Sequence, residues 1–261
     1  MTDTRAGDDG HDDRRGAVGE GWSQRPSGVS EVSRVEDGGG LADPTETRAN
    51  CGVGGIVELE SEASHETVTD ALTLLAEMEH RGARGAEPNT GDGAGVMIER
   101  PDALFEAVVD ADLPETYAVG SFFFPPSDVE SAKETVEREL ATHDCAVVEW
   151  RAVPTDAEGA GLGATARAAE PAVWQAFVTP AGDTDPERFD PDLYVGRRAV
   201  ESAFEAADDS DTSEDPYVVS LDRERVVYKG LLTAPQLRDY YPDLRDDRLR
   251  SRSSETTYGS S

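Results

Sequence analysis

Cys51 is the residue of this sequence best suited to covalent chemistry, because a cysteine thiolate is a strong nucleophile. It opens the run CGVGGIVEL, in which a short apolar stretch with glycines predicts a strand that other backbone approaches closely. A lone cysteine is more often a small buried hydrophobic residue, and Cys145, inside another apolar run, is expected in the core. Two cysteines give neither a disulfide framework nor CxxC metal spacing. A functional role for Cys51 therefore needs further residues.

The segment after this first strand predicts the helix that would support it. Apolar residues recur with the helical period over residues 64–82, with Ser64 as the N-cap and Gly82 as the stop. The predicted buried stripe consists of Val68, Ala71, Leu72, Leu75 and Met78. A glycine-rich turn, TGDGAG, then leads into a strand at VMIER.

The remainder of the chain predicts bunches of strands with helices between some of them. Strands are expected at TYAVGSFFF, CAVVEWRAV and AVWQAFVT, and helices at SDVESAKETVEREL and DLYVGRRAVESAFEA. The close spacing of YVVSLD and RVVYKG predicts a hairpin, and TAPQLRDYY predicts a short helix with Thr233 as its N-cap. This order favours an α+β sandwich of sheets and helices over a strictly alternating parallel fold.

Three linked motifs supply the support that Cys51 needs. They are CGVG at 51–54, EHRGA at 79–83 and GAEPNTGDGAG at 85–95. In this order and spacing they closely resemble the start of the class II glutamine amidotransferase domain of the glutamate synthase large subunit. A later segment, VVYKGLLTAPQLRDYYPDLRDDR at 226–248, resembles another part of that domain. The resemblance covers about 200 residues.

The resemblance implies an N-terminal-nucleophile hydrolase fold, a four-layer αββα sandwich. It also implies that a propeptide is removed between Asn50 and Cys51, which frees an α-amino group with a pKa of about 7.7 to 8.0 to act as the base. Cys51 would then attack the side-chain amide of glutamine, release ammonia and form a thioester that water hydrolyses to glutamate. The resemblance implies no cofactor in this chain. FMN and an iron–sulfur cluster, other glutamate synthase domains and a small subunit are implied only for the complete enzyme.

Arg81 and Asp92 are the other candidate site residues. By resemblance, Arg81 would hold either the nucleophile strand or the substrate carboxylate, a task suited to a guanidinium fork. Its alternative is a surface arginine that ends a helix. Asp92 and its flanking glycines predict a tight turn near the nucleophile strand, with a direct chemical role as the alternative.

The resemblance weakens near residue 251. The family continues with an Arg-Phe-Ser-Thr-Asn-Thr motif for substrate binding and a His-Asn-Gly-Glu motif for the oxyanion hole, and neither string occurs here. We therefore expect a domain incomplete at its C-terminus, as from a truncated or frame-disrupted gene, with open sheet edges. Two alternatives are a catalytically inactive remnant or interaction module, and a domain completed in trans by another chain.

This interpretation divides the chain into three parts. Residues 1–50, rich in Gly, Asp, Arg and Ser, are expected to be a disordered leader or propeptide. Residues 51–250 are expected to form the partial amidotransferase domain. Residues 251–261, SRSSETTYGSS, carry no periodic pattern and are expected to be a divergent tail.

The charge balance excludes a nucleic-acid binder that relies on phosphate neutralisation. The chain of 261 residues has 55 Asp and Glu against 24 Lys and Arg, a formal net charge of -31. Its only lysines are Lys133 and Lys229, and its carboxylates spread over the whole length, as on a salt-adapted, halophile-like surface. No secretory signal and no apolar run of membrane-spanning length occur in the sequence. These features predict a saline cytoplasm and no membrane partner.

The charge predicts that salt stabilises the fold. The Debye length is only about 3 Å at roughly 1 M salt, so self-repulsion that is severe in dilute buffer is screened there. We expect the thermal unfolding midpoint, followed by circular dichroism, to rise with KCl by about 2 to 4 °C for each kcal/mol of repulsion removed. A midpoint that is unchanged or lower in molar KCl would contradict this prediction.

Overall fold

The computed structural model describes residues 51–60, 62–78, 91, 93–182, 186–207 and 215–259. The predicted leader at 1–50 lies outside the described residues, as does the predicted helix stop at Gly82. The described strands are β1 (Gly52–Val57), β2 (Ala94–Glu99), β3 (Ala118–Phe124), β4 (Cys145–Ala152), β5 (Ala172–Pro180), β6 (Tyr217–Asp222), β7 (Arg225–Gly230) and β8 (Ser253–Tyr258). The described α-helices are α1 (His65–Glu77), α2 (Asp102–Val108), α3 (Val129–Ala141), α4 (Ala164–Ala168), α5 (Phe189–Ala207) and α6 (Ala234–Tyr240).

The first sheet has the strand order β1-β8-β2-β7, with every neighbouring pair antiparallel. Helix α1 packs on β1 and β8, and α6 packs on β2, β7 and α1. The predicted stripe of α1 is confirmed, because Val68, Ala71, Leu72 and Leu75 are buried. Ser64 is its N-cap and accepts a hydrogen bond from the Thr67 amide at 3.2 Å. Sequence periodicity thus correctly predicted the helix that packs on β1.

The second sheet has the order β4-β5-β3-β6, again antiparallel. Its strands alternate with α3 and α5 as a βαββαβ unit, and the short helix α4 lies in the connection from β4 to β5. Helices α3 and α5 pack against each other and cover one face of this sheet. That face and the two helices share a cluster of buried apolar residues, which includes Phe122, Phe124, Val136, Leu140, Val178, Val200 and Phe204. Cys145 is buried in the same cluster, as expected.

The predicted hairpin of β6 and β7 is wrong. Strand β6 pairs with β3 in the second sheet, whereas β7 pairs with β2 in the first sheet. Only Arg223 and Glu224 separate the two strands, and the Asp222 carboxylate accepts bonds from the Glu224 and Arg225 amides at 2.7 and 2.9 Å. This turn redirects the chain from one sheet to the other. Spacing alone does not encode which neighbour completes a strand's hydrogen bonds.

No strand or helix was predicted within residues 251–261, but Ser253–Tyr258 form a strand. These residues form β8, which lies between β1 and β2 and bonds to both. Ser254 and Thr256 are 1% and 0% exposed, on the face that α1 covers. Backbone pairing on both sides makes this polar segment a strand, and a search for apolar alternation cannot detect it.

A buried ion pair joins the second sheet to the segment after α6. The Arg151 guanidinium of β4 donates two bonds of 2.8 Å to the Asp243 carboxylate, and both side chains are at most 10% exposed. Tyr228 of β7 donates to Asp243 at 3.0 Å, and Arg151 also donates to Gln175 at 2.9 Å. Burial alone would lower the pKa of Arg151, but the hydrogen bonds and charge of Asp243 raise it overall. The pair therefore stays charged and links both sheets.

Asp243→Asn should destabilise the protein strongly, because it leaves the Arg151 charge buried without its counter-ion. The expected loss is about 3 to 5 kcal/mol in the free energy of unfolding, measured by urea denaturation in molar KCl. The matched control is Asp239→Asn, since Asp239 pairs with Arg245 at 3.7 Å and both side chains are exposed. That change should cost about 1 kcal/mol or less. Equal effects of the two substitutions would refute a special role for the buried pair.

Candidate nucleophile site

Cys51 lies immediately before β1, at one end of the first sheet, and its side chain is exposed. It forms no disulfide. Among the described strands, β1 is at the edge of the sheet and pairs on one side only, with β8. The structure therefore presents Cys51 as an accessible thiol on a hydrogen-bonded strand, as a nucleophile requires.

The strand register shows what surrounds this end of the sheet. Gly52 pairs with Tyr258, Tyr258 with Ala94, and Ala94 with Gly230, which makes one row across all four strands. The residues one step beyond that row share the Cys51 end of the sheet, and they are Gly93, Leu231 and Gly259. The Gly259 amide donates to the Gly93 carbonyl at 3.1 Å, which closes the gap between β8 and β2. Two of these three residues are glycines, so the strands at the Cys51 end of the sheet carry few side-chain atoms there.

Two glycines of the motifs are required by close packing. A Cβ at Gly54 would lie 2.7 Å from a side-chain carbon of Leu74 in α1, so the glycine lets this helix pack directly beneath the nucleophile strand. A Cβ at Gly91 would lie 2.2 Å from the Leu232 carbonyl oxygen. Gly91 therefore lies directly against the loop between β7 and α6.

Arg81 and Asp92 lie outside the described residues, as do His80 and most of the EHRGA and GAEPNTGDGAG motifs. Gly93, which follows Asp92 in the sequence, is described and shares the Cys51 end of the sheet. The roles of Arg81 and Asp92 remain predictions.

The neighbours of Cys51 that come from β8 were not predicted from the sequence. Tyr258 and Gly259 belong to the tail in which no element was expected, and only the strand register brings them to the thiol. The contact of Gly91 with Leu232 was missed as well, although both residues lie in segments that carry the resemblance. The signal available beforehand was the glycine itself, since glycine marks positions where backbone approaches backbone.

The second cysteine has the opposite environment. Cys145 is 0% exposed, and burial, together with Asp192 and Asp144, raises the pKa of its thiol to about 11. Among the described residues, no group of three or more His, Cys, Asp or Glu side chains is placed to bind a metal. The described part of the chain therefore offers one accessible thiol and no metal centre. Its helices are also too short or too polar for a membrane span.

Comparison with known proteins shows which family this chain is similar to. The family profile described as class II glutamine amidotransferases matches residues 51–254, so the match begins at Cys51 itself.

Three curated relatives that are similar to this chain are all glutamate synthases. The chain is 36% identical to glutamate synthase [NADH] of Saccharomyces cerevisiae over 234 residues, which is 83% of this chain and 10% of the relative. It is 33% identical to the glutamate synthase [NADPH] large chain of Bacillus subtilis, over 81% of this chain and 14% of the relative. It is 34% identical to the chloroplastic ferredoxin-dependent glutamate synthase of Spinacia oleracea, over 81% of this chain and 13% of the relative. The chain spans 10 to 14% of the length of these relatives.

Alkylation should distinguish the two thiols in the folded protein. Iodoacetamide at about pH 8 should modify Cys51 and leave Cys145 intact, because the reagent needs an accessible thiolate. Peptide mapping by mass spectrometry checks the site. Cys51→Ala should remove labelling of the folded chain, and unfolding in urea should make Cys145 reactive. Rapid labelling of Cys145 before unfolding would contradict the buried environment described above.

Proposed function

Because the chain belongs to the class II glutamine amidotransferases, we propose that it hydrolyses glutamine to glutamate and ammonia through a thioester on Cys51. The observation that carries this proposal is the exposed thiol at the start of β1, at the residue where the family match begins. In the homologous glutamate synthases this domain is a small part of a much longer chain.

Family membership confirms two predictions made from the sequence. The chain carries a class II amidotransferase domain that matches glutamate synthases, as the three motifs indicated. Its fold class is that of the N-terminal-nucleophile hydrolases, with two antiparallel sheets and helices packed on them. A halophilic origin is a prediction from composition alone.

The chemistry requires a cysteine that carries its own base. Peptide-bond cleavage between Asn50 and Cys51 would free the Cys51 α-amino group, which accepts the thiol proton as Sγ attacks the side-chain amide carbon of glutamine. The amide C–N bond breaks, and the amine returns that proton to the leaving nitrogen, which departs as ammonia. Water then cleaves the thioester, which yields glutamate and restores the thiol. This cleavage, the domain boundary at residue 51 and the roles of Arg81 and Asp92 are parts of the proposal.

The position of Cys51 supports this sequence of steps. Residue 51 precedes the first hydrogen-bonded residue of β1, so a new N-terminus there would project beyond the sheet without breaking a strand pair. The close contact between Gly54 and Leu74 fixes the strand on α1. The strand that follows the reacting sulfur is therefore anchored by packing three residues away, while the Cys51 side chain itself is exposed.

The wider reaction belongs to the complete enzyme in this proposal. Ammonia from Cys51 would pass to a second domain of the complete enzyme, for which FMN would supply the redox chemistry. The remaining glutamate synthase domains or a small subunit would be the partners of this chain. An iron–sulfur cluster commonly takes four cysteine ligands, and this chain has two cysteines in unlike environments. The residues of this chain therefore do not fit such a cluster, and no step of the hydrolysis passes through one. We propose a cytoplasmic location without nucleic-acid or membrane partners.

A glutaminase assay in molar KCl tests the proposed function. The protein is prepared as the full chain and as a form beginning at Cys51, each with a Cys51→Ala variant. We expect ammonia release above background from the Cys51 form and none from its alanine variant, because the nucleophile is gone. Cys145→Ala is the matched control and should retain the activity, since its thiol is buried. Losing one oxyanion-hole donor costs about 10² to 10³ in rate, so the assay must detect slow turnover.

A chloroketone analogue of glutamine provides a second readout that does not need turnover. It should alkylate Cys51 faster than iodoacetamide does, because substrate binding places the electrophile at the thiol. Equal background ammonia from all variants, together with no preference for the glutamine analogue, would overturn glutaminase function for this chain. Activity that returns only when a downstream glutamate synthase chain is added would instead establish completion in trans.

A further inference from the structure

A cavity distinct from the nucleophile lies between the two sheets. It has a volume of about 220 Å³ and is bounded by the end of β7, the start of β6, α4 and α6. No described residue of β1 lines it. Because β1 and β7 are the two outer strands of the first sheet as described, three strand spacings, or about 14 Å, separate these two strands. We call it the Lys229 cavity.

One lysine of the chain lines this cavity. The Lys229 ammonium lies 3.5 Å from the Tyr217 hydroxyl and 4.9 Å from the centre of the Tyr217 ring. Within the described residues Lys229 makes no ion pair, whereas the other lysine, Lys133, pairs with Glu130 at 2.9 Å. The chain has a net charge of -31. Among the described residues the Lys229 ammonium contacts the Tyr217 phenol and no carboxylate, so it is suited to bind an anionic group of a ligand.

The opposite charge is present in the same cavity. Glu170 and Asp215 both line it. The Glu170 carboxylate accepts a bond from the Tyr240 hydroxyl at 2.9 Å, which fixes one oxygen and leaves other acceptor positions open. With one ammonium and two carboxylates, the cavity matches a ligand that carries both signs rather than a simple anion.

The remaining wall is apolar. It is formed by Phe123, Leu162, Ala166 and Leu232, and we call it the apolar wall. Leu162 and Leu232 are 8% and 2% exposed, so this wall is fixed by the core. The cavity is smaller than the about 300 to 1,000 Å³ of sites for drug-sized ligands. Its size therefore favours a small metabolite over a nucleotide or a flavin.

We propose that the Lys229 cavity binds a small α-amino acid with an apolar side chain. The carboxylate of the ligand bonds to Lys229, its ammonium group faces Glu170 and Asp215, and its side chain lies on the apolar wall. The site is separate from glutamine hydrolysis, because no described residue of β1 lines it. A ligand there contacts both sheets, since Phe123 belongs to β3 and Lys229 to β7.

Isothermal titration calorimetry of the full chain in molar KCl tests the proposal, with L-leucine as the probe. We expect saturable binding with a Kd of about 1 mM or tighter. Two probes lack one charge each: 4-methylpentanoate has no ammonium group and 3-methylbutylamine has no carboxylate. Each should bind about tenfold or more weakly than leucine, because one charged hydrogen bond is lost.

Substitutions locate the binding. Lys229→Met and Leu162→Trp should each weaken leucine binding by about tenfold or more, the first by removing the ammonium and the second by filling the cavity. Lys133→Met is the matched control and should leave the Kd unchanged. Cys51→Ala should also leave it unchanged, so failure of glutamine hydrolysis and failure of this proposal are separable. Absence of leucine binding, or binding that survives both cavity substitutions in folded variants, would overturn the proposal.

Discussion

The buried pair of Arg151 and Asp243 is the constraint on which the rest of the structure depends. A charge pair removed from water is tolerated only when both partners are satisfied in fixed geometry. Here the pair takes its arginine from the second sheet, its carboxylate from the segment after α6, and a further bond from Tyr228 of the first sheet. Any shift between the sheets would leave a charge buried without a partner. This cost sets the relative position of the two sheets.

Further contacts connect the Arg151–Asp243 pair to the end of the first sheet at which Cys51 lies. Tyr241, two residues before Asp243, donates its hydroxyl to the Lys229 carbonyl at 2.8 Å and so holds the end of β7. The loop that follows β7 presses on Gly91, and the glycine-rich segment continues into β2 beside β8. The hydrogen bond from the Tyr241 side chain and the close backbone approach at Gly91 therefore connect the buried pair to the strands beside Cys51. Glycines in the motifs serve packing as much as chemistry.

Much of the fold could be predicted because helices and buried strands carry their period in the sequence. The stripe of α1 and the cap of Ser64 followed from residue types alone. The pairing of β6 and β7 could not be predicted, because strand partners depend on hydrogen bonds elsewhere in the chain. For the site, residue chemistry and motif resemblance singled out Cys51. Its neighbours in β8 emerged only from the register, since a polar segment gives no hydropathy signal.

The central place of β8 has a consequence for biosynthesis. Strand β1 sits at the sheet edge and pairs with β8, so Gly52 bonds to a partner about 200 residues later in the chain. Contacts of such long sequence separation form late, because the intervening loop must close first. On the ribosome, the strand that carries the thiol therefore waits unpaired while the βαββαβ unit, whose contacts are more local, is already complete. Cys51 is among the first residues of the described fold to be translated and among the last to be fixed.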